Sequence, residues 1–500
     1  MTFRFFGILF LSFLWLFLLA ENSFAQVSQE RFDIQYHREQ VLILSRLGKM
    51  DLALYEAKKI FRHIPHDAET LRYLGIVCFE QKETEQLEAI GLQLQQYHPE
   101  LPDGPYYLAA SAIYRKQYRR AYAILNKLDA SRKAFLLSAD GPYQLDLAGV
   151  AYRTDHWQQA TSLYQNLLEN NKLDEPNAAS ARINLKELYR AHLPQVHTSF
   201  EWTLFERGFM WRQIGYFQYP IDEANEIAVK YQRDESTLSH SGSLASSQKD
   251  RQDGRIIWRR NWFNGWGMEL SFGGSETLPA GSAFLSYKVE NGPQFKAGVE
   301  GNEPARDSLA LEALDGRQNS LKAQMTWSFT QHDTIYATTA ARQIIIHEHE
   351  LGQSIDVFYA YEHELLRSMI KVALGTQGRV QAYSRSTDNA HLVDPIATSS
   401  ATFNEKTPIL NGLLLSEINR HGILLKLNSQ PFSFFTWEIL GGIDYSFVPD
   451  APEFWSKANV TFFPRQSWKI KIEGAYYTSA TASNEGESAY QLLVASEYCF

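Results

Sequence analysis

Two clusters in the sequence combine residue types that bind metals or move protons. His347-Glu348-His349-Glu350 alternates imidazole with carboxylate; on a strand its two histidines would face the same side. The segment falls in an expected outer loop, where it reads as a solvated charged stretch. His363-Glu364-Leu365-Leu366 opens like a zinc-protease helix, yet Arg367 stands where the second histidine must be. The Ser, His and Asp residues show no spacing that a nucleophile and its base require, and no phosphate-cradling glycine loop is present. The expectation is a non-enzyme, with no catalytic residue, cofactor or metal.

Charge at alternate positions remains. The chain carries a formal charge of −9. Gln195 to Phe500 holds 35 Asp and Glu against 26 Lys and Arg, so this part carries all of it and the first part is neutral. Asp356, Glu362, Glu438, Asp444, Glu473 and Glu497 fall on the polar sides of alternating segments, offset by Lys322, Arg342, Lys371, Lys469 and Lys471. If those segments close into a barrel, these side chains line its lumen. Such a mixture passes polar solutes, and the acid balance favours cationic ones.

The elements that must position these charges are strands. In Phe435 to Phe447 the odd positions are apolar or glycine, while Thr436, Glu438, Asp444 and Ser446 sit between them. The same period of two runs through Leu321 to Phe329 and Trp468 to Tyr476. Aromatics recurring at strand ends on the apolar side suit a lipid-facing band with interfacial girdles. About sixteen strands fit between 197–206 and 489–500. Short turns fall near Tyr219–Ala224, Trp262–Gly265, Asn291–Pro293, Gln331–His332, Pro431 and Pro464–Gln466, and long loops near 235–253, 301–318, 377–410 and 479–488. The long set all faces outward if the termini are periplasmic. The count of sixteen treats Gly412 to Asn428 as one strand, irregular at His421-Gly422; a hairpin there gives fourteen. The chain closes on Tyr498-Cys499-Phe500, and the terminal phenylalanine resembles the assembly signal of outer-membrane barrels.

The first part has another period. Arg4, an apolar run from Phe5 to Ala20 and a small-x-small exit before Gln26 predict a secretory signal over 1–25. No cysteine lies near enough for a lipid anchor. Residues 26–193 then read as about four helical repeats. Ala53, Leu87 and Ala121 are spaced by 34 residues, with Ala160 after a few more. Gly48, Gly75, Tyr118 and Trp157 fill further positions of a pattern that resembles the tetratricopeptide repeat family. Small residues let paired helices approach while bulky ones fill the groove to the next pair. Asn177 to Leu193 reads as an amphipathic capping helix ended by Pro194. The fold class expected is a multidomain α + β chain: a periplasmic α-solenoid, then an antiparallel transmembrane β-barrel over 194–500.

Signal, repeats and barrel in this order look like exopolysaccharide export porins of biofilm systems. Within the barrel, Asn302-Glu303-Pro304-Ala305, Asp307-Ser308-Leu309-Ala310-Leu311 and Gly316-Arg317, the strand pair over 319–343, and Gly352 resemble the PelB-like outer-membrane exporters of the Pel polysaccharide. That family carries a far longer repeat array. The resemblance implies outer-membrane location with the repeats in the periplasm, a polysaccharide cargo, and docking of polysaccharide-modifying or synthase components on the repeats. Outer-membrane lipid and the barrel assembly machinery are the other expected partners; nucleic acid is not one. Two alternatives share the layout: a translocator similar to the surface lipoprotein assembly modifiers, and a scaffold whose barrel only anchors the repeats.

Overall fold

The computed structural model describes residues 34–500 apart from 42, 45–46, 48, 65–67, 132–139, 171, 206–207, 240–245, 276–277, 306–308, 386–389, 398–405, 407–416, 433, 448–449, 466 and 479–487. The expected signal at 1–25 and Gly48 lie outside the described residues. The chain divides into two compact units, parting between Arg182 and Ile183.

In the first unit, helical residues 34–41 precede α1 (Met50–His63), α2 (Ala68–Gln81), α3 (Thr84–Tyr97), α4 (Asp103–Tyr114), α5 (Tyr118–Ala130), α6 (Asp140–Arg153) and α7 (Trp157–Glu169). The period has a local cause. Ala53, Leu87, Ala121 and Ala160 each stand fourth in a helix and donate their backbone N–H to the carbonyl just before it, of Lys49, Glu83, Gln117 and His156. All four are fully buried, where the partner helix passes. The turns entering α3, α5 and α7 place Lys82, Lys116 and Asp155 at φ of 57°, 58° and 65°; the first two are spaced as the alanines are. Gly75 faces the Tyr107 ring so closely that a methyl there would collide with it, and the Tyr107 hydroxyl donates to the Arg72 carbonyl at 3.1 Å. Trp157 starts α7, half-buried. One apolar cluster runs from Val41 to Val150 through these helices, the continuous core that stacked repeats share.

A last helix, α8 (Glu175–His192), crosses the division, and its residues from Ile183 onward belong with the second unit. There the Cys499 thiol donates to the Arg190 carbonyl at 3.8 Å, and the Arg190 guanidinium covers the Phe463 ring at 5.4 Å.

The second unit is a closed antiparallel barrel of sixteen strands in which every strand pairs with its sequence neighbours and β1 pairs with β16. They are β1 (Gln195–Phe205), β2 (Gly208–Pro220), β3 (Asn225–Leu238), β4 (Ser247–Asn261), β5 (Trp266–Gly274), β6 (Pro279–Lys288), β7 (Gln294–Pro304), β8 (Arg317–Ser328), β9 (Asp333–Ile346), β10 (His349–Arg367), β11 (Ile370–Arg385), β12 (Glu417–Phe432), β13 (Phe435–Ser446), β14 (Ala451–Arg465), β15 (Trp468–Tyr477) and β16 (Ala489–Cys499). A five-residue helix, α9 (Leu309–Ala313), lies between β7 and β8. Through His421-Gly422, β12 keeps unbroken register with both neighbours; its only shift lies between Ser429 and Phe432. Sixteen is therefore the count, and fourteen is excluded.

Three loops differ from expectation: β11 runs on through Gln377 to Arg385, so the connection placed at 377–410 begins only at 386. β3 and β4 pair up to Leu238 and Ser247, so most of 235–253 is strand. The His347-Glu348 step is a two-residue turn, both residues at positive φ (44° and 70°), and His349 and Glu350 already belong to β10. The long connections that remain are 305–316, 386–416 and 478–488, all at the end opposite Gln195 and Phe500.

Candidate functional site

A barrel wall is concave inside and convex outside, so long side chains of strands two apart meet most readily within it; on the outer side Tyr359 and His421 do so only by crossing Gly378. Arg259 of β4 donates to Glu226 of β3 at 2.6 Å and to the Tyr216 hydroxyl of β2. Lys296 of β7 reaches Glu269 of β5 at 3.2 Å, Lys426 of β12 reaches Glu362 of β10 at 3.3 Å, and Arg420 of β12 reaches Glu453 of β14 at 2.7 Å. Arg255 of β4 pairs with Glu303, three strands away. These contacts fix the inner side, and register carries it around the sheet.

The structure places the sequence-selected charges on that side and pairs nearly all of them. Asp356 accepts from Arg342 and, at 2.9 Å, from Arg379. Glu362 and Glu438 share Lys426, at 3.3 and 3.6 Å. Asp444 accepts from Gln377 at 2.9 Å and faces the Arg420 Nε at 3.6 Å. Glu473 lies between Lys457 and Lys471, and Glu497 accepts from Lys469 at 3.1 Å. Lys322 pairs with Glu300, while Lys371 is exposed at the start of β11.

Pairing changes the expected electrostatics. Glu497 meets Lys469, which the sequence singles out, while the other lumen carboxylates are matched by cations it does not: Arg379, Arg420, Lys426 and Lys457. β4 adds Lys249, Arg251, Arg255 and Arg259 on inward positions. On the described inner side basic residues outnumber acidic ones, so the chain's negative balance is not a lumen property. The signal for β4 was present, since Lys249, Arg251, Asp253 and Arg255 recur at period two. It reads as a loop because Gln248 and Asp250 between them are polar as well.

The opposite side is apolar. Leu204, Phe272, Leu285, Leu321, Ile355, Ile423, Ile443 and Val494 are exposed along the strands. Exposed aromatics cluster toward both ends, with Trp262, Trp266, Trp327, Phe434 and Trp468 at the short-turn end and Tyr231, Phe272, Tyr445 and Tyr490 at the other. Tyr498 and Phe500 stack edge to face at 5.1 Å, and the Phe500 N–H donates to the Pro194 carbonyl at 3.0 Å.

At the long-loop end the chain's own loops span the lumen from β3 to β9 and β10. Ala305, Leu311, Ala313 and Leu314 from the β7–β8 connection, and Leu392, Val393 and Ile396 from the β11–β12 connection, form one buried cluster with Leu238, Ile344, Ile346 and Leu351 of the wall. α9 leaves its own strands and packs against β3 and β4. Charge holds it there. The Arg251 guanidinium, its side chain 5% exposed, pairs with Asp234 at 3.0 Å, Glu312 at 3.7 Å and Asp315 at 3.5 Å. Lys249 and Arg317 approach Asp315 at 3.8 and 3.5 Å, and Arg212 braces Asp234 from β2 at 2.8 Å. Among the described residues no group of three metal-ligating side chains occurs.

No family model matches the chain, and no curated protein matches it. Among solved structures it is similar to a bacterial polysaccharide outer membrane secretin, 7% identical, over 62% of this chain and 99% of that one, with a TM-score of 0.46. An anion-selective porin from Comamonas acidovorans is 7% identical over 62% of this chain and 98% of that one, at 0.33. The tetratricopeptide repeat protein YrrB, described with an unusual peptide-binding site, is 17% identical over 31% of this chain and 74% of that one, at 0.25. With scores below 0.5, what this chain does is read from its own residues.

Proposed function

We propose that the chain is an outer-membrane conduit that passes an exopolysaccharide, of the Pel kind its loop motif resembles, to the cell surface for a biofilm matrix. The observation that carries this is a barrel with an apolar outer belt and an ion-paired polar interior, whose mouth is spanned by its own loops. Strands closed into a barrel leave no unpaired edge, which is what a bilayer requires of a spanning sheet. In this reading the belt faces outer-membrane lipid, the barrel assembly machinery inserts it, and the short-turn end lies in the periplasm with the repeats. The repeats receive polymer-modifying or synthase components, and the chain itself performs no catalysis.

The inner charge balance gives no reason for a cationic cargo, so we take the polymer to be neutral or mixed in charge. The test is efflux of an entrapped neutral oligosaccharide, maltohexaose, from vesicles holding the full chain or a variant with 306–315 replaced by a short Gly-Ser linker. Opening the mouth should give rapid efflux with only slow leakage from the parent. No efflux from a loop-shortened barrel that remains folded by its heat-dependent gel mobility would overturn the conduit.

A further inference from the structure

The inner wall of β10 to β15 holds a recess of about 220 Å³ whose lining includes Gln377, Arg420, Asp444, Glu453, Trp455 and Tyr477, with Phe358 and Phe454 at its edge. Trp455 and Tyr477 are directly opposed across β14 and β15, as are Asp444 and Glu453 across β13 and β14. Two wall glycines make the recess. A Cβ at Gly442 would press into the Trp455 indole, and one at Gly422 would overlap the Asp444 carboxylate, so both side chains lie back against the sheet. Asp444 is only 2% exposed and is fixed by both Gln377 contacts, at 2.9 and 3.1 Å. Arg420 is held between Glu453 and Asp444. The volume falls below the roughly 300–1000 Å³ of pockets for drug-sized molecules and suits a single ring.

We propose that this recess is a saccharide subsite, which takes one pyranose unit of a passing chain without a carboxylate. A pyranose has a face of C–H bonds and a rim of hydroxyls. Aromatic faces carry negative potential and attract C–H edges, so Trp455 and Tyr477 supply the platform. Asp444, Glu453, Gln377 and Arg420 supply acceptors and donors for the rim, in the arrangement of few polar groups on an apolar base that small-ligand sites share. Two carboxylates against one guanidinium disfavour a uronic acid and accept a neutral or amino sugar. The inference rests on the conduit reading for its cargo, and on the recess alone for its residues.

The test uses the full chain in nanodiscs, with saturation-transfer NMR and calorimetry on maltohexaose, a glucosamine hexamer and a galacturonic acid hexamer. Maltohexaose and the glucosamine hexamer should bind at least tenfold more tightly than the galacturonate, with saturation strongest on ring C–H protons. Trp455→Ala and Tyr477→Ala should each weaken binding at least tenfold. Gly442→Ala, whose methyl pushes the Trp455 indole off the wall and into the recess, should do the same while keeping both aromatic side chains. Heat-dependent gel mobility reports that each barrel is folded; if Gly442→Ala fails it, the tyrosine variant decides. Galacturonate binding as tight as the neutral hexamer, or full affinity in the folded aromatic variants, overturns the subsite. Efflux that persists while no hexamer binds overturns the subsite and leaves the conduit standing; binding without efflux does the reverse.

Discussion

Replacing Glu312 by Gln together with Asp315 by Asn should open the barrel mouth. Both carboxylates belong to the loop, and both address Arg251 on the wall, at 3.7 and 3.5 Å. The wall's own pair, Arg251 with Asp234 at 3.0 Å, is left intact, and the buried Arg317, which gives up its Asp315 contact, keeps hydrogen bonds to the Asn302 carbonyl at 3.3 Å and the Ser275 hydroxyl at 2.9 Å. The amides preserve size, and Asn at 315 suits the positive φ of 56° there at least as well as Asp. Hydrogen bonds to charged groups contribute about 1.5–3 kcal/mol each. Here Asp315 makes one long hydrogen bond to Arg251 and Glu312 only an ion pair, so about 1 kcal/mol apiece is the reasonable share, roughly 2 kcal/mol together. At about 1.4 kcal/mol per decade, the ratio of open to closed mouth rises about thirtyfold. Single-channel recording in planar bilayers reads that ratio as open probability. An open probability within twofold of the parent would refute the latch, and closure would then rest on the apolar cluster around Leu311 alone.

Three further outcomes follow from the geometry. Because inner carboxylates are matched by cations, the parent channel should show little cation preference under a salt gradient, and Asp356→Asn with Glu362→Gln should shift the reversal potential toward anions; a strongly cation-selective parent would contradict the inner register. Gly75→Ala forces a methyl into the Tyr107 ring and should destabilise the repeats by about 1–3 kcal/mol, read as a lower helix melting temperature by circular dichroism. Asp146, half-buried on α6, accepts from the Tyr106 hydroxyl at 3.0 Å, and desolvation by burial raises its pKa from 3.8 to about 6. The folded repeats then hold this proton more tightly than the unfolded chain, so the contribution of Asp146 to stability is fully present below about pH 4 and is lost, by about 2–3 kcal/mol, as pH rises to 6 and beyond. Asp146→Asn should remove that slope and melt higher than the parent at pH 7; an unchanged slope would place the titration elsewhere.

Strands are legible where the outer side is apolar and the inner side polar, since the two kinds of residue then alternate. Phe435 to Ser446 is such a segment. Legibility failed where the sheet rises past the belt. In β3 and β4, Arg233 and Asp250 pair at 2.7 Å on the outer side while Asp234 and Arg251 pair on the inner. With both sides polar the period of two vanishes, and the segment resembles a loop. The His347-Glu348 turn was hidden for another reason, as neither residue is among the glycine and asparagine that mark positive-φ turns. The lumen carboxylates could be picked out singly, because each needs only its strand's parity. Their partners could not, because Gln377 and Asp444 meet only once the register of three strands is known. Trp455 and Tyr477 were missed because aromatics in a barrel sequence point first to the lipid girdle.

The pairing inside the barrel also bears on how a polymer could move through it. An interior of unpaired carboxylates would bind cations tightly and repel anions, and its free polar groups would hold a hydroxylated chain at each step. Here Glu473 is satisfied by Lys457 and Lys471, and Asp356 by Arg342 and Arg379. A sugar hydroxyl that inserts exchanges one set of hydrogen bonds for another, a trade worth little in net free energy. Conduction asks for contact favourable enough to enter and weak enough to leave. The recess at Trp455 adds one place where a ring can pause, because stacking on an aromatic face gives up no existing hydrogen bond. A wall neutralised pair by pair, with one shallow aromatic foothold beneath a mouth held by charge, is thus consistent with carrying a long, polar and weakly charged chain.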